Sequence, residues 1–135
     1  MRLEITRQAD LAVRALVALS RSPQRMKSAA LAEHLETTSG FVPQVMAPLV
    51  RAGWVTSDPG PTGGYRSIVD IDQLDVLRVV EAVDGPTDNG RCVVADRECG
   101  REQPCSLHVA WANARTELMA SLGGTSLAVV AGGGQ

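Results

Sequence analysis

The 135-residue sequence predicts a mainly α fold with a small β-hairpin. Three observations predict it. Apolar residues recur at helical spacing near both ends, two short β-favouring runs flank the turn sequence DPGPTGG at residues 58–64, and cap or stop residues bound the helical runs. With 44% hydrophobic and 21% charged residues, the chain can build one core without disulfide staples.

Over residues 5–20, Leu11, Ala15, Leu16 and Leu19 share one face while Arg7, Asp10 and Arg14 lie off it, which predicts a long first helix. After a loop at 21–27, Ser28 stands as the N-cap of a short helix over 29–35, and residues 36–39 form a polar turn. A third helix is predicted over 40–52, burying Val42, Val45, Met46 and Leu49. Its two prolines differ: Pro43 falls in the first turn, where little is lost, whereas Pro48 is interior. An interior proline costs roughly 3 kcal/mol unless the helix kinks, so this helix is expected to be bent or split near residues 44–48.

Gly53 ends that helix, and residues 54–57 and 65–69 read as two strands around the turn. A fourth helix over 71–83 runs into the stop signal Asp84-Gly85-Pro86. Residues 87–104 lack periodicity and form a long loop. From about residue 104 to 122 a long helix follows, in which Leu107, Trp111, Ala114, Leu118 and Leu122 make one apolar stripe. The tail 127–135, ending Gly-Gly-Gly-Gln, is expected to fray.

Two short helices joined by a tight turn and followed by a hairpin make a winged helix-turn-helix, whose second helix enters the major groove of duplex DNA. The expected organisation is therefore a winged helix-turn-helix domain at 1–70, a connecting helix at 71–86, a cysteine-bearing loop at 87–106, a long dimerisation helix at 104–123 and a flexible tail at 124–135.

The net charge of −2 looks wrong for a DNA binder, but its distribution does not. Residues 1–66 carry +3 and residues 67–135 carry −5, so the first half can approach phosphate while the second is suited to sensing or self-association. No apolar run approaches a membrane span, and Asp10 and Arg14 interrupt the N-terminal apolar stretch; a cytoplasmic chain with no membrane partner is expected.

Three cysteines, Cys92, Cys99 and Cys105, fall in one fourteen-residue stretch, and with His108 they form C-x6-C-x5-C-x2-H. An odd cysteine count in a reducing compartment argues for a metal or redox site rather than a disulfide framework. The residues alone leave two cofactors open, an iron–sulfur cluster and a Cys3His zinc site, although zinc sites favour closer cysteine pairs. No catalytic dyad, phosphate-binding glycine loop or C-x2-C pair points to an enzyme; the alternatives are a zinc-binding structural or interaction protein and a small iron–sulfur redox protein.

The stretch MRLEITRQADLAVRAL at residues 1–16 and the segment 39–66, ending in AGWVTSDPGPTGGYR, resemble the superfamily of bacterial winged-helix iron–sulfur transcriptional regulators of the IscR, NsrR and RirA type, and the similarity spans nearly the whole chain. The resemblance implies a DNA-binding regulator, expected to be a repressor, that senses iron–sulfur status, nitric oxide or redox stress. It implies that Ser28 offers a helix N-terminus to phosphate, that Ser39 and Gln44 sit where the recognition helix meets DNA, and that Gly63 and Gly64 let the wing backbone approach it, with Arg66 or Arg7 supplying charge. Tyr65 is expected in the packing at the wing's base. The family's wing usually carries Arg where this chain has Pro59, and the first cysteine gap is one residue longer than the commonest form.

By the same resemblance Cys92, Cys99 and Cys105 hold a 2Fe–2S or 4Fe–4S cluster, with His108 as fourth ligand, as in IscR-like proteins, or Asp10 from the other subunit, as in NsrR-like ones. Leu107, Trp111, Leu118 and Leu122 would join a homodimer that presents two recognition helices to a near-palindromic operator.

Overall fold

The computed structural model describes residues 1–95, 97–99 and 102–133, and among these it forms six helices and one two-stranded hairpin. The first helix, α1 (Arg7–Ser20), begins two residues later than expected because the Thr6 hydroxyl accepts the Ala9 N–H at 3.1 Å and so caps it. Eight of its residues are buried, and α1 is the hub on which the other elements of the winged domain pack.

The second helix, α2, spans Ser28–Leu35. Ser28 is its first helical residue and not its N-cap; Lys27 is the cap and makes no side-chain cap bond. The reason lies one residue earlier, where the Met26 N–H donates to the Tyr65 carbonyl (2.9 Å) and the Tyr65 N–H to the Met26 carbonyl (2.8 Å), holding the chain extended up to Lys27. The helix ends at Glu36, whose φ of 57° lies in the left-handed region, and the Thr37 N–H closes back on the Ala32 carbonyl at 2.9 Å.

Helix α3 (Val42–Arg51) has Pro43 in its first turn, as expected, but runs unbroken through Pro48, so the predicted split is absent. Pro48 leaves the Gln44 carbonyl without its helical donor, and the side chain of Gln8 on α1 supplies one, Nε2 to O at 3.0 Å. Val42, Val45, Met46 and Leu49 are fully buried against α1 and α2.

The hairpin pairs β1 (Val55–Asp58) with β2 (Gly64–Ser67) in the register Val55↔Ser67 to Asp58↔Gly64. Tyr65 packs against the core at the hairpin's base. Both turn glycines are required by close packing. A Cβ on Gly63 would stand 2.0 Å from the Asp58 carbonyl oxygen, and one on Gly64, whose φ is +129°, would stand 2.8 Å from that of Met26.

Helix α4 (Val76–Asp84) is shorter than the predicted 71–83 helix, and the tail expected to be flexible over 124–135 is instead ordered as α6 (Leu127–Gly133), with residues 134–135 outside the described residues. One pairing explains both corrections. The Asp75 carboxylate accepts the Arg78 N–H at 2.8 Å and starts α4 there, leaving residues 71–75 free to bond the C-terminal segment. Val76 N–H donates to Thr125, Leu127 N–H to Leu74 and Ala128 N–H to Ile71 (2.9, 2.9 and 3.2 Å), and Leu127 enters the core with no exposed surface.

Between them lies α5 (His108–Gly123), four residues shorter at its start than predicted, because residues 105–107 form a turn in which the His108 N–H bonds the Cys105 carbonyl. No residue of α5 is buried. Of its apolar stripe, Leu122 packs against the chain's own core, Trp111 is half-buried, and Leu107 and Leu118 are 47% and 44% exposed.

Candidate metal centre and nucleic-acid interface

The loop between α4 and α5 is built from short-range bonds that place its sulfurs. Side chains of Asp88 and Asn89 accept the N–H groups of Gly90 and Arg91, turning the chain sharply at Gly90, whose φ is +76°. Beyond that turn, Cys92 N–H donates to the Arg97 carbonyl (2.8 Å) and Cys99 N–H to that of Gly90 (3.1 Å), so Cys92 and Cys99 lie on facing limbs. Cys105 reaches them from the turn that precedes α5, its N–H donating to the Cys99 sulfur at 3.4 Å.

The three Sγ atoms lie within 4.8 Å of one another, all as free thiols and half-buried. His108 Nδ1 stands 3.1 Å from the Cys99 Sγ. Of the predicted ligands, the structure brings together the three cysteines and His108. Asp10 lies apart, exposed on α1 and 3.8 Å from Arg14, and is not in the cysteine group within one chain.

The N–H groups of Val94 and Ala95, both 3.4 Å from the Cys92 sulfur, hold that thiol down at about 7. Desolvation pushes the Cys105 thiol up. In metal-free protein the Cys92 thiolate therefore dominates above that pH and is lost as pH falls through it. Alkylation with iodoacetamide, mapped by mass spectrometry, is expected to label Cys92 before Cys105 at pH 7.5, and its rate at Cys92 should fall about tenfold per unit well below 7. Equal rates at both thiols across that range would show that the backbone donors do not act on Cys92.

Three thiolates and an imidazole in this arrangement are a donor set for a metal or an iron–sulfur cluster, and the N–H···S bonds to Cys92 favour the charged sulfur that either requires. A hollow of about 280 Å³ lies against the site, with Cys99, Cys105, His108, Trp111 and Arg115 in its wall.

On the opposite half of the chain, Gln44 stands exposed on α3, and Ser39 is exposed in the turn before it. Arg66, on β2, shares the lining of one groove with Arg25 and Lys27, which sequence reasoning used only as charge. Arg25 is tied to the hairpin by a 2.7 Å ion pair with Asp58. The signal for Lys27 was its place immediately before a helix start, where a cation and free N–H groups meet. Ser28 borders a second hollow with Lys27 and Gly64, while Arg7 lies on the first turn of α1, outside the lining of that groove. Gln8 carries no sequence pattern of its own; the interior proline in α3 is the sign that some donor must reach the Gln44 carbonyl.

Residues 5–132 match the profile of the Rrf2 family, described as iron-dependent transcriptional regulators. The HTH-type transcriptional regulator IscR of Aliivibrio salmonicida is 29% identical over 127 residues, covering 93% of this chain and 75% of that protein. Among solved structures, CymR, the global cysteine regulator of B. subtilis, superposes with a TM-score of 0.75 at 19% identity over 97% of this chain and 98% of its own. The T. potens IscR structure gives a TM-score of 0.72 at 17% identity over 98% and 89%. No helix among the described residues is long and apolar enough to cross a membrane.

Proposed function

From the premise that the chain belongs to the Rrf2 family of DNA-binding transcriptional regulators, we propose that it is a cytoplasmic homodimeric repressor that reads a near-palindromic operator and senses iron–sulfur status, nitric oxide or redox stress. The observation that carries the sensor reading is the convergence of Cys92, Cys99 and Cys105 within 4.8 Å in the loop that joins the winged domain to α5. His108 is the proposed fourth ligand, because its Nδ1 already touches the Cys99 sulfur, and Asp10 of a second copy is the alternative. A 2Fe–2S or 4Fe–4S cluster bound there supplies a centre that reacts with oxidants and nitric oxide.

In this reading Gln44 and Ser39 meet base edges, while Arg25, Lys27 and Arg66, with the amide end of α2 at Ser28, meet phosphate. Gly63 and Gly64 shape the wing, and Arg7 adds charge at the start of α1. The exposed Leu107 and Leu118, with half-buried Trp111, form the dimer face, which continues over Met1 and Leu3 around an apolar hollow of about 300 Å³. Ordering or release of the cysteine loop changes the spacing of the two reading heads and so shifts the population between DNA-competent and incompetent forms.

Anaerobic purification tests the cofactor and gel shift tests the switch. A brown protein whose affinity for its own promoter differs between loaded and metal-free forms is expected. Equal affinity in both forms would end the sensor reading, and colourless protein with stoichiometric zinc would replace the cluster by a structural Cys3His site.

A further inference from the structure

We propose that Gln8 is a positioning residue for DNA recognition: its side-chain amide replaces the main-chain hydrogen bond that Pro48 denies to α3, and so fixes the helix that carries Gln44. The proposal rests on the reading of α3 as the helix that enters the groove. In an α-helix the carbonyl of residue 44 is served by the N–H of residue 48, which here is a proline and has none. A helix with such an orphan is free to kink at that point. The Gln8 Nε2 lies 3.0 Å from the Gln44 oxygen, and only the amide nitrogen, not the amide oxygen, can serve a carbonyl.

The base of this strut is held from two sides. Gln8 sits in the first turn of α1, with the fully buried Ala9 and Leu11 beside it. The preceding Thr6 hydroxyl donates to the Asp84 carboxylate at the end of α4, 2.9 Å from each oxygen. Gln44 therefore has its main chain anchored to a fixed helix while its side chain stays exposed. A displacement of the first turns of α3 would carry Gln44 out of register with base edges, since bidentate pairing tolerates little movement.

The test uses the whole chain in whichever state, loaded or metal-free, binds DNA more tightly in gel shift, and the duplex that this wild-type form enriches from a random-sequence pool, with a scrambled duplex as reference. Gln8→Met keeps the length and apolar packing of the side chain but not the donor. It is expected to weaken binding to the enriched duplex about tenfold, the scale of one lost base contact, and to leave binding to the scrambled duplex unchanged. Pro48→Ala returns the missing N–H to α3, so the double variant Q8M/P48A is expected to bind within about twofold of P48A alone. A merely structural role would lower both duplex affinities together, and a role that does not act through the Gln44 carbonyl would not be relieved by P48A. Wild-type affinity in Q8M, or a double variant as weak as Q8M, would overturn the role of Gln8. Failure of the wild type to enrich any sequence would overturn the reading of α3 and the proposal with it.

Discussion

Replacing Cys99 by alanine is expected to abolish cofactor loading and, with it, any difference between loaded and metal-free protein in operator binding. Cys99 is the shared member of the site: its sulfur accepts the Cys105 N–H, contacts His108 Nδ1 at 3.1 Å, and lies within 4.8 Å of the other two sulfurs. Removing it leaves two thiols and an imidazole, one donor short of the set the site offers. Outer-shell changes at metal sites cost about 10–100-fold in affinity, and loss of a ligand costs more. Bound iron should therefore drop at least tenfold and the visible absorbance should vanish, while far-ultraviolet circular dichroism stays, because the helices of the winged domain pack on α1 independently of the loop. The same measurement on His108→Ala and Asp10→Ala separates the two candidates for the fourth position, since only the true ligand sheds iron. Full iron content in the Cys99 variant would sink the sensor reading.

Leu127→Ala is expected to destabilise the chain by about 3 kcal/mol, the middle of the range for truncating a fully buried leucine. For a domain of this length that lowers the thermal midpoint by roughly 10 °C. The neighbouring Val129, 62% exposed on the same helix, serves as the control, and its change to alanine should move the midpoint by no more than about 2 °C. A midpoint unaltered in the Leu127 variant would mean that α6 does not dock. Loss of the docked helix would also release the Ile71 and Leu74 carbonyls, which accept the Ala128 and Leu127 N–H groups, and so loosen the entry to α4.

The elements that were legible in the sequence are those whose signals are local. The buried face of α1 repeats at 3.6-residue spacing, the hairpin turn is dense in glycine and proline, and the cysteine spacing drew attention to the sulfurs that the loop brings together. Membership of the Rrf2 family likewise agrees with the resemblance carried by residues 1–16 and 39–66. What was not legible depends on partners far along the chain. The Asp75–Ser126 bridge joins segments about fifty residues apart, so the apolar run at 71–74 read as helix and a docked helix read as a tail. Pro48 gave the correct physical warning, an orphaned carbonyl, but the donor that answers it sits on α1, where a single Gln carries no pattern. Leu122 shares the stripe with Leu107 and Leu118 by spacing, and is half-buried against the chain's own core while those two stand exposed.

The reciprocal pair of hydrogen bonds between Met26 and Tyr65 limits how the wing can diversify. Because β2 is stitched to the strand-like residue that precedes α2, with no room for a side chain at Gly64, neither the root of the hairpin nor the loop at its back can lengthen without unseating the other. Insertions and altered chemistry are confined to the exposed tip at residues 59–62. A lineage of such proteins can thus retune the reach of its wing over a handful of positions while the two elements behind it are inherited as a unit.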